Sequence, residues 1–388
     1  MASPDVEGRR QVNVVHVING ENFGGIERAV TTLVQHHQVV RPAIVCLMDG
    51  DMTRFGPSAA SCRIDLIRMG SRLDLAAAAG LARYVRAHGI DLMQVHTLRA
   101  NLVGAAAARF ARVPVVATIH SPIARDTENP VRNRRNLWLQ RRLFRWTAGY
   151  IAVSEGLARE MIASGVPAAR IVAVRNGIDV TRYGFGNGSF LRQSLAGVDA
   201  DTPLAGTHAL LRPRKGIDVF LRAIPIVVHS IPSARFIVAG RAEEPAYEQE
   251  LRQLASSLGI ANRVHFLGFR SDIPDLLAAL DAFVMPSLFG EGTPFALLEA
   301  MAASRPVIAT RTEGNEEIIQ TGSTGVLVES CDPEALARAV VDVLTDMKLR
   351  RELGARARRE VAERFSATRM AAETESFYSR ILASRSSW

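Results

Sequence analysis

One pattern recurs along this chain: a short apolar, β-branched run followed by an alanine-rich or amphipathic stretch of helical length. Val12–Ile18 opens it, a glycine-rich turn follows, and a helical pattern runs from about Ile26 to His37. Further strand-like runs are Ala43–Leu47, Leu92–His96, Val115–Ile119, Tyr150–Val153 and Ile171–Val174, with helical stretches such as Leu73–His88 and Ala100–Ala111 between them. Strand and helix alternating in this way predict a parallel sheet covered on both faces.

A second series begins near Leu204, with strands expected at Leu204–Ala209, Arg235–Ala239, Val264–Leu267, Ala282–Met285, Val307–Ala309 and Val326–Val328. Between the series, Thr181–Thr202 holds four glycines and little apolar periodicity, which reads as a linker. The 388 residues exceed one ordinary core. The expectation is therefore two doubly wound α/β domains, Rossmann-like, over residues 1–190 and 191–365, with a further helix at about Ser366–Ser384. Each domain would carry ligand-binding loops at the carboxyl ends of its strands. Facing across a cleft, the two would suit a donor and an acceptor arriving from opposite sides.

Composition narrows the classes. No run of eighteen apolar residues occurs, so no spanning helix is expected. Met1–Gln11 is polar and charged, without the apolar core of a signal peptide, and the expected location is the cytoplasm. Cys46, Cys62 and Cys331 lack any paired spacing and read as reduced packing residues. Charge is uneven: residues 1–190 hold 24 Arg and no Lys against 14 acidic groups, and the remainder holds 23 basic and 25 acidic groups. The basic half points to an anionic partner.

The segment Pro286–Ala302 carries the most chemistry. It follows the strand Ala282–Met285 and opens a helix near Pro294, where proline at the first helical position would lose no hydrogen bond. The free amides of Phe295, Ala296 and Leu297, with the helix dipole, form an anion site suited to a diphosphate. Gly292 lets the backbone approach a ligand, and Thr293 continues the loop. Glu299, about one and a half turns inside the helix, is placed to accept hydrogen bonds from the vicinal hydroxyls of a ribose, and Glu291 to reach the sugar. The competing reading is a solvated helix Glu and a loop Glu.

This arrangement resembles the Glu-x7-Glu motif of the family 4 retaining glycosyltransferases, which have the GT-B fold. Other motifs carry the resemblance across nearly the whole chain: Gly24-Gly25-Ile26-Glu27, Val174–Asp179, Arg212–Asp218, Gly314–Ile319 and Gly322-x-x-Gly325. The resemblance implies that Glu299 binds the donor's ribose and that Glu291 contacts the donor sugar. Lys215 would pair with the diphosphate and replace a metal ion, so no cofactor is expected; the nucleotide sugar is a substrate. Phe269 and Arg270 are similar to the family's base-contacting loop, with ordinary loop packing as the competing reading. The final helix, through residue 388, is similar to the one that crosses back onto the first domain. One departure stands out. Leu210 and Ala209 occupy the positions where many members place a second diphosphate-binding arginine, leaving Arg212 or Arg214 to substitute.

In the first half, Gly24 and Gly25 permit close approach of a phosphate or sugar, or make a tight turn. His120 and His96 each close a strand, which puts them at the ligand-binding end of the sheet. His120 resembles the histidine that contacts the donor sugar in this family. No N-terminal carboxylate stands out as a nucleophile for double displacement. The resemblance implies a same-face reaction in which the departing phosphate helps deprotonate the incoming hydroxyl.

From Arg132 to Trp146, six arginines interleave with Leu137, Trp138, Leu139, Leu143, Phe144 and Trp146. On a helix this is a basic, tryptophan-bearing surface suited to an anionic membrane and hence to a lipid-linked acceptor. The competing reading is a solvated face with its tryptophans packed inward. Nucleic acid is not an expected partner, because no groove-reading motif accompanies the arginines. The expected function is hexose transfer from a UDP- or GDP-sugar to a glycan or lipid-linked acceptor in lipopolysaccharide-type surface polysaccharide synthesis, at the inner face of the plasma membrane. Transfer to a small soluble acceptor and non-catalytic nucleotide-sugar binding are the alternatives.

Overall fold

The computed structural model describes residues 11–21, 23–52, 56, 62–71, 74–121, 130–143 and 145–384, with the backbone alone at 130, 132, 133, 137 and 140. The chain divides into two compact units, Met1–Gly177 with Ala367–Trp388, and Ile178–Ser366.

In the first unit the strands are β1 (Val12–Ile18), β2 (Val40–Cys46), β3 (Arg63–Leu66), β4 (Leu92–Val95), β5 (Val115–Ile119), β6 (Gly149–Ala152) and β7 (Ile171–Ala173). Their helices are α1 (Gly25–His36), α2 (Leu75–Ala87), α3 (Leu98–Ala111), α4 (Pro130–Leu143) and α5 (Glu155–Ala163). The sheet is parallel, in the order β3-β2-β1-β4-β5-β6-β7. Alternate residues of each strand enter opposite cores, as a two-residue period requires. Val15, Val17, Met93, Val95, Val115 and Ala117 pack with Leu81, Val103 and Leu157, whereas Val14, Leu92, Val116 and Ile151 face the other way. Strand β3 is absent from the pattern read in the sequence. It is a four-residue edge strand with an exposed arginine, too short and too polar to announce itself.

The second unit contains β8 (Leu204–His208), β9 (Arg235–Ala239), β10 (Val264–Gly268), β11 (Ala282–Met285), β12 (Val307–Thr310) and β13 (Val326–Val328), all parallel, in the order β10-β9-β8-β11-β12-β13. Its helices are α6 (Ser189–Ser194), α7 (Ile217–Ser230), α8 (Pro245–Ser257), α9 (Ile273–Ala279), α10 (Phe295–Ala302), α11 (Glu313–Ile318), α12 (Pro333–Thr345) and α13 (Met347–Arg364). Two cores again lie on opposite faces: Ile237, Phe283, Met285 and Val307 in one, Phe236, Val238, Val284 and Ile308 in the other.

Residues 178–190, placed with the first domain by sequence, belong to the second unit. Ile178 and Tyr183 join its core with Leu297 and Phe365, and burial of such side chains contributes about 1.5–3 kcal/mol each. The final helix, α14 (Ala367–Ser384), belongs to the first unit. Met370, Ala371, Phe377, Tyr378 and Ile381 form its apolar stripe and cover the sheet beside α1. Gly149 makes the seat, since a Cβ there would lie 2.6 Å from the Phe377 ring.

Each sheet reverses its strand order once, between β1 and β4 and between β8 and β11. Loops leaving those strand ends diverge and open a crevice, the usual ligand position in this architecture.

Candidate active site

In the second unit, the loops after β8 and β11 flank the switch point. The loop after β8 forms a short 3-10 turn, Pro213–Lys215, which ends at Gly216 in the left-handed region, φ 63°. A Cβ on Gly216 would lie 2.0 Å from the Pro286 carbonyl oxygen, so glycine allows this loop to touch the one after β11. Gly314, at the start of α11, does the same for the Gly292 carbonyl, 1.7 Å from where its Cβ would be. Three strand-end loops are thereby pressed together.

Their meeting point is charged. Lys215 Nζ donates to Glu291 Oε1 at 2.5 Å, the Ser287 hydroxyl donates to the same oxygen at 2.8 Å, and Arg214 Nη1 lies 3.7 Å from it. Side-chain exposure is 6% for Glu291 and 16% for Lys215. Burial works to raise the Glu291 carboxyl, but Lys215, Arg214 and Ser287 outweigh it and hold the group below its ordinary range. Burial pulls Lys215 below its own range, against the opposing attraction of Glu291. With two cations facing one buried carboxylate, the cluster has capacity for a further anion.

Helix α10 starts at Phe295, with Pro294 as its N-cap in extended geometry. Proline thus sits one position earlier than the sequence reading placed it. Phe295, Ala296 and Leu297 become the first three helical residues, and no side chain caps their end. Glu299 is fully buried. The Tyr183 hydroxyl donates to its Oε1 at 2.8 Å, and His208 Nε2 lies 3.2 Å from its Oε2. Neither partner was singled out from sequence. Tyr183 lies in the glycine-rich stretch, where nothing marks it. His208 ends a strand, the signal that did pick out His96 and His120.

The remaining donor-site candidates fall elsewhere. Arg212 is held by both carboxylate oxygens of Glu243 at 2.7 Å, so Arg214 is the arginine that reaches Glu291. Arg270 pairs with Asp272, and Phe269 is 50% exposed beyond the end of β10. Neither joins the Lys215 or the Glu299 cluster.

In the first unit, Gly24 is the N-cap of α1, and its amide donates to Glu27 Oε2 at 3.1 Å. A Cβ on Gly25 would meet nothing within 4 Å, so internal packing does not demand glycine there. His120 follows β5, and its Nε2 lies 3.2 Å from His96 Nδ1. Burial lowers the His120 imidazole to about 4, and His96 is also well below the ordinary range, by burial first and then by His16 and His120. Both are neutral near pH 7.

On α4, Asn136 and Leu143 are buried while Val131 and Trp138 are exposed, and Trp146 stands exposed just beyond the helix. Arg134, Arg135, Arg141, Arg142 and Arg145 are exposed too, and the Arg142 guanidinium lies 5.1 Å from the Trp138 ring centroid. The two tryptophans therefore do not pack inward. The side chains of Arg132 and Leu137, and the whole of Phe144, lie outside the described residues. No helix among the described residues is long and apolar enough to cross a membrane.

Comparison with known proteins agrees with this architecture. Residues 23–182 match the family described as Glycosyltransferase Family 4, and residues 203–346 match Glycosyl transferases group 1. The chain is 27% identical to the Escherichia coli UDP-Gal:alpha-D-GlcNAc-diphosphoundecaprenol alpha-1,3-galactosyltransferase, over 71% of this chain and 72% of that one. It is 30% identical to the phosphatidyl-myo-inositol mannosyltransferase of Mycolicibacterium smegmatis, over 72% of this chain and 68% of that one. Among solved structures, Anabaena HepE in complex with UDP and glucose superposes with a TM-score of 0.85 at 25% identity, covering 95% of this chain and all of that one. The chain belongs to the family 4 glycosyltransferases, nucleotide-sugar-using enzymes with the GT-B fold.

Proposed function

We propose that this enzyme transfers a hexosyl group from a UDP- or GDP-sugar to a lipid-linked glycan acceptor, with retention and without a metal ion, in surface polysaccharide synthesis. The observation that carries the reading is the Lys215–Arg214–Glu291 cluster at the β8/β11 switch point, beside the uncapped start of α10. The donor diphosphate would take the place next to Lys215 and Arg214, accept from the α10 amides, and leave with its charge already matched. Glu291 then turns toward the transferred sugar, Glu299 serves the ribose, and His120 contacts a sugar hydroxyl. The departing phosphate removes the proton of the incoming hydroxyl on the same face.

The acceptor class rests on the exposed Trp138 and Trp146 among exposed arginines, a surface suited to the interface of an anionic membrane. Both relatives described above carry a lipid acceptor in their names. The deciding experiment is a turnover screen across UDP- and GDP-sugars in EDTA, with anomeric analysis of the product and cosedimentation with anionic vesicles. An α-linked product from an α-linked donor, in EDTA and with vesicle binding, supports the reading. An inverted product, a metal requirement or indifference to vesicles removes the corresponding part.

A further inference from the structure

Beneath His120 lies a row of imidazoles that the proposed chemistry has not used. Strand alternation puts His16 on β1, His96 just past the end of β4 and His120 just past β5 on the same sheet face. His16 Nδ1 lies 3.2 Å from His96 Nε2, and His96 Nδ1 lies 3.2 Å from His120 Nε2. On the far side of His16 is His37, with ring centroids 5.7 Å apart. His37 Nδ1 is 3.0 Å from Glu375 Oε1, and that oxygen also accepts from the Gln38 and Val39 amides at 2.8 and 3.1 Å. His16 is fully buried, and the His37 side chain is 1% exposed. The row runs linearly, and no group of three or more potential ligands converges as a metal site among the described residues.

We propose that Glu375, acting through His37, His16 and His96, sets the tautomer of His120 so that its Nδ1 is a hydrogen-bond acceptor. The polarity follows from donor and acceptor bookkeeping along the row. Glu375, already accepting two backbone amides at one oxygen, accepts the Nδ1–H of His37, which leaves the His37 Nε2 as an acceptor. The Nε2 atoms of His37 and His16 are both buried without a partner. A small ring movement brings the two Nε2 atoms into a direct hydrogen bond, in which His16 is the donor because the His37 Nε2 carries no proton. His16 Nδ1 must then accept from the Nε2–H of His96, and His96 Nδ1 from the Nε2–H of His120. His120 is left with an unprotonated Nδ1 for a ligand hydroxyl. His16, His96 and His120 are neutral, as burial dictates, so each carries one proton and the direction cannot be mixed among them. Reversal requires Glu375 to lose its grip on the His37 Nδ1–H.

Glu375, His37, His16 and His96 are positioning residues in this scheme. Its catalytic consequence rests on the proposed contact between His120 and the donor sugar, and the two parts separate by experiment. In the full-length protein labelled with 15N-histidine, the His96 and His120 signals are expected in the Nε2–H form. Glu375→Ala and His16→Leu are expected to mix both tautomers and raise the donor KM about five-fold, with a smaller change in kcat. Glu375→Gln keeps the accepting oxygen and restores the wild-type signature. An Nδ1–H or mixed His120 signal in the wild-type protein overturns the relay, without recourse to any variant. An ordered wild-type row together with unchanged donor kinetics in His120→Ala sustains the relay and removes the sugar contact instead.

Discussion

The ends of β1, β4 and β5 in the first unit and of β8 and β11 in the second occupy the same topological position and hold opposite chemistry. The first end holds neutral imidazoles, His96 and His120, with His16 behind them on β1, and burial suppresses their charged forms. At the second, Lys215 and Arg214 both lie within 4 Å of the Glu291 carboxylate and hold it below its ordinary range against burial. A crevice at a strand-order reversal is therefore a place, and its chemistry is written by the residues just after each strand. Neutral hydrogen-bonding groups suit a sugar hydroxyl, and paired ions with helix amides suit a diphosphate.

The sharpest way to break that contrast is to unbalance the charged end. Lys215→Ala leaves a buried carboxylate facing Arg214 alone, and turnover is expected to fall about 100- to 1000-fold if Lys215 faces the departing diphosphate. Thermal stability is expected to fall as well, because Glu291 loses its closest charged donor, a bond worth about 1.5–3 kcal/mol. Single-turnover assays and calorimetry measure both, and a loss under tenfold in rate would mean that Lys215 only neutralises Glu291.

Acid separates the two ends by sign and window. The three histidines have folded-state pKa values below that of an unfolded chain, so their contribution is complete above pH 6.5. It is lost as pH falls below 6.5, through about 4 for His120 and lower for the more strongly depressed His16 and His96, where the unfolded chain binds more protons. Glu291 is also lowered, so its contribution is complete above 4.5 and is lost only below that value. Between pH 6.5 and 4.5 the amides around His16, His96 and His120 are expected to lose protection in hydrogen exchange before those around Lys215 and Glu291. Simultaneous loss would mean that the row of imidazoles is not held neutral.

A smaller effect sharpens the second unit alone. Tyr183→Phe removes one donor from the fully buried Glu299 and is expected to cost about 1–3 kcal/mol of stability. Glu299→Ala is expected to raise nucleotide Kd more than it lowers kcat, and Glu291→Ala the reverse. Equal effects in both constants would erase the division of labour between the two glutamates.

Much of the fold was legible because both sheets are buried on two faces. Strand residues such as Ala282–Met285 and Val307–Ala309 read as short continuous apolar runs, and their regular alternation with helical stretches marks them as strands. The boundary near residue 177 was not legible. The segment 178–190 has the composition of a linker, yet its Tyr183 enters a core and bonds to Glu299 across 116 positions. Arg212 and Arg214 were indistinguishable by spacing; in the fold Arg212 pairs with Glu243 and Arg214 lies 3.7 Å from Glu291.

What the sequence determined by itself was the local grammar: strand and helix alternation, the glutamates flanking the start of α10, and the basic tryptophan-bearing stretch. These depend on neighbours a few residues apart, so periodicity and helix-end chemistry reveal them. The tertiary structure alone decided which polar groups share a site. It set Lys215 on Glu291, Tyr183 on Glu299, and Glu375 at the far end of an imidazole row that begins at His120. Those pairings span 76, 116 and more than 250 positions, and only the register and crossovers of a parallel sheet bring such distant residues together.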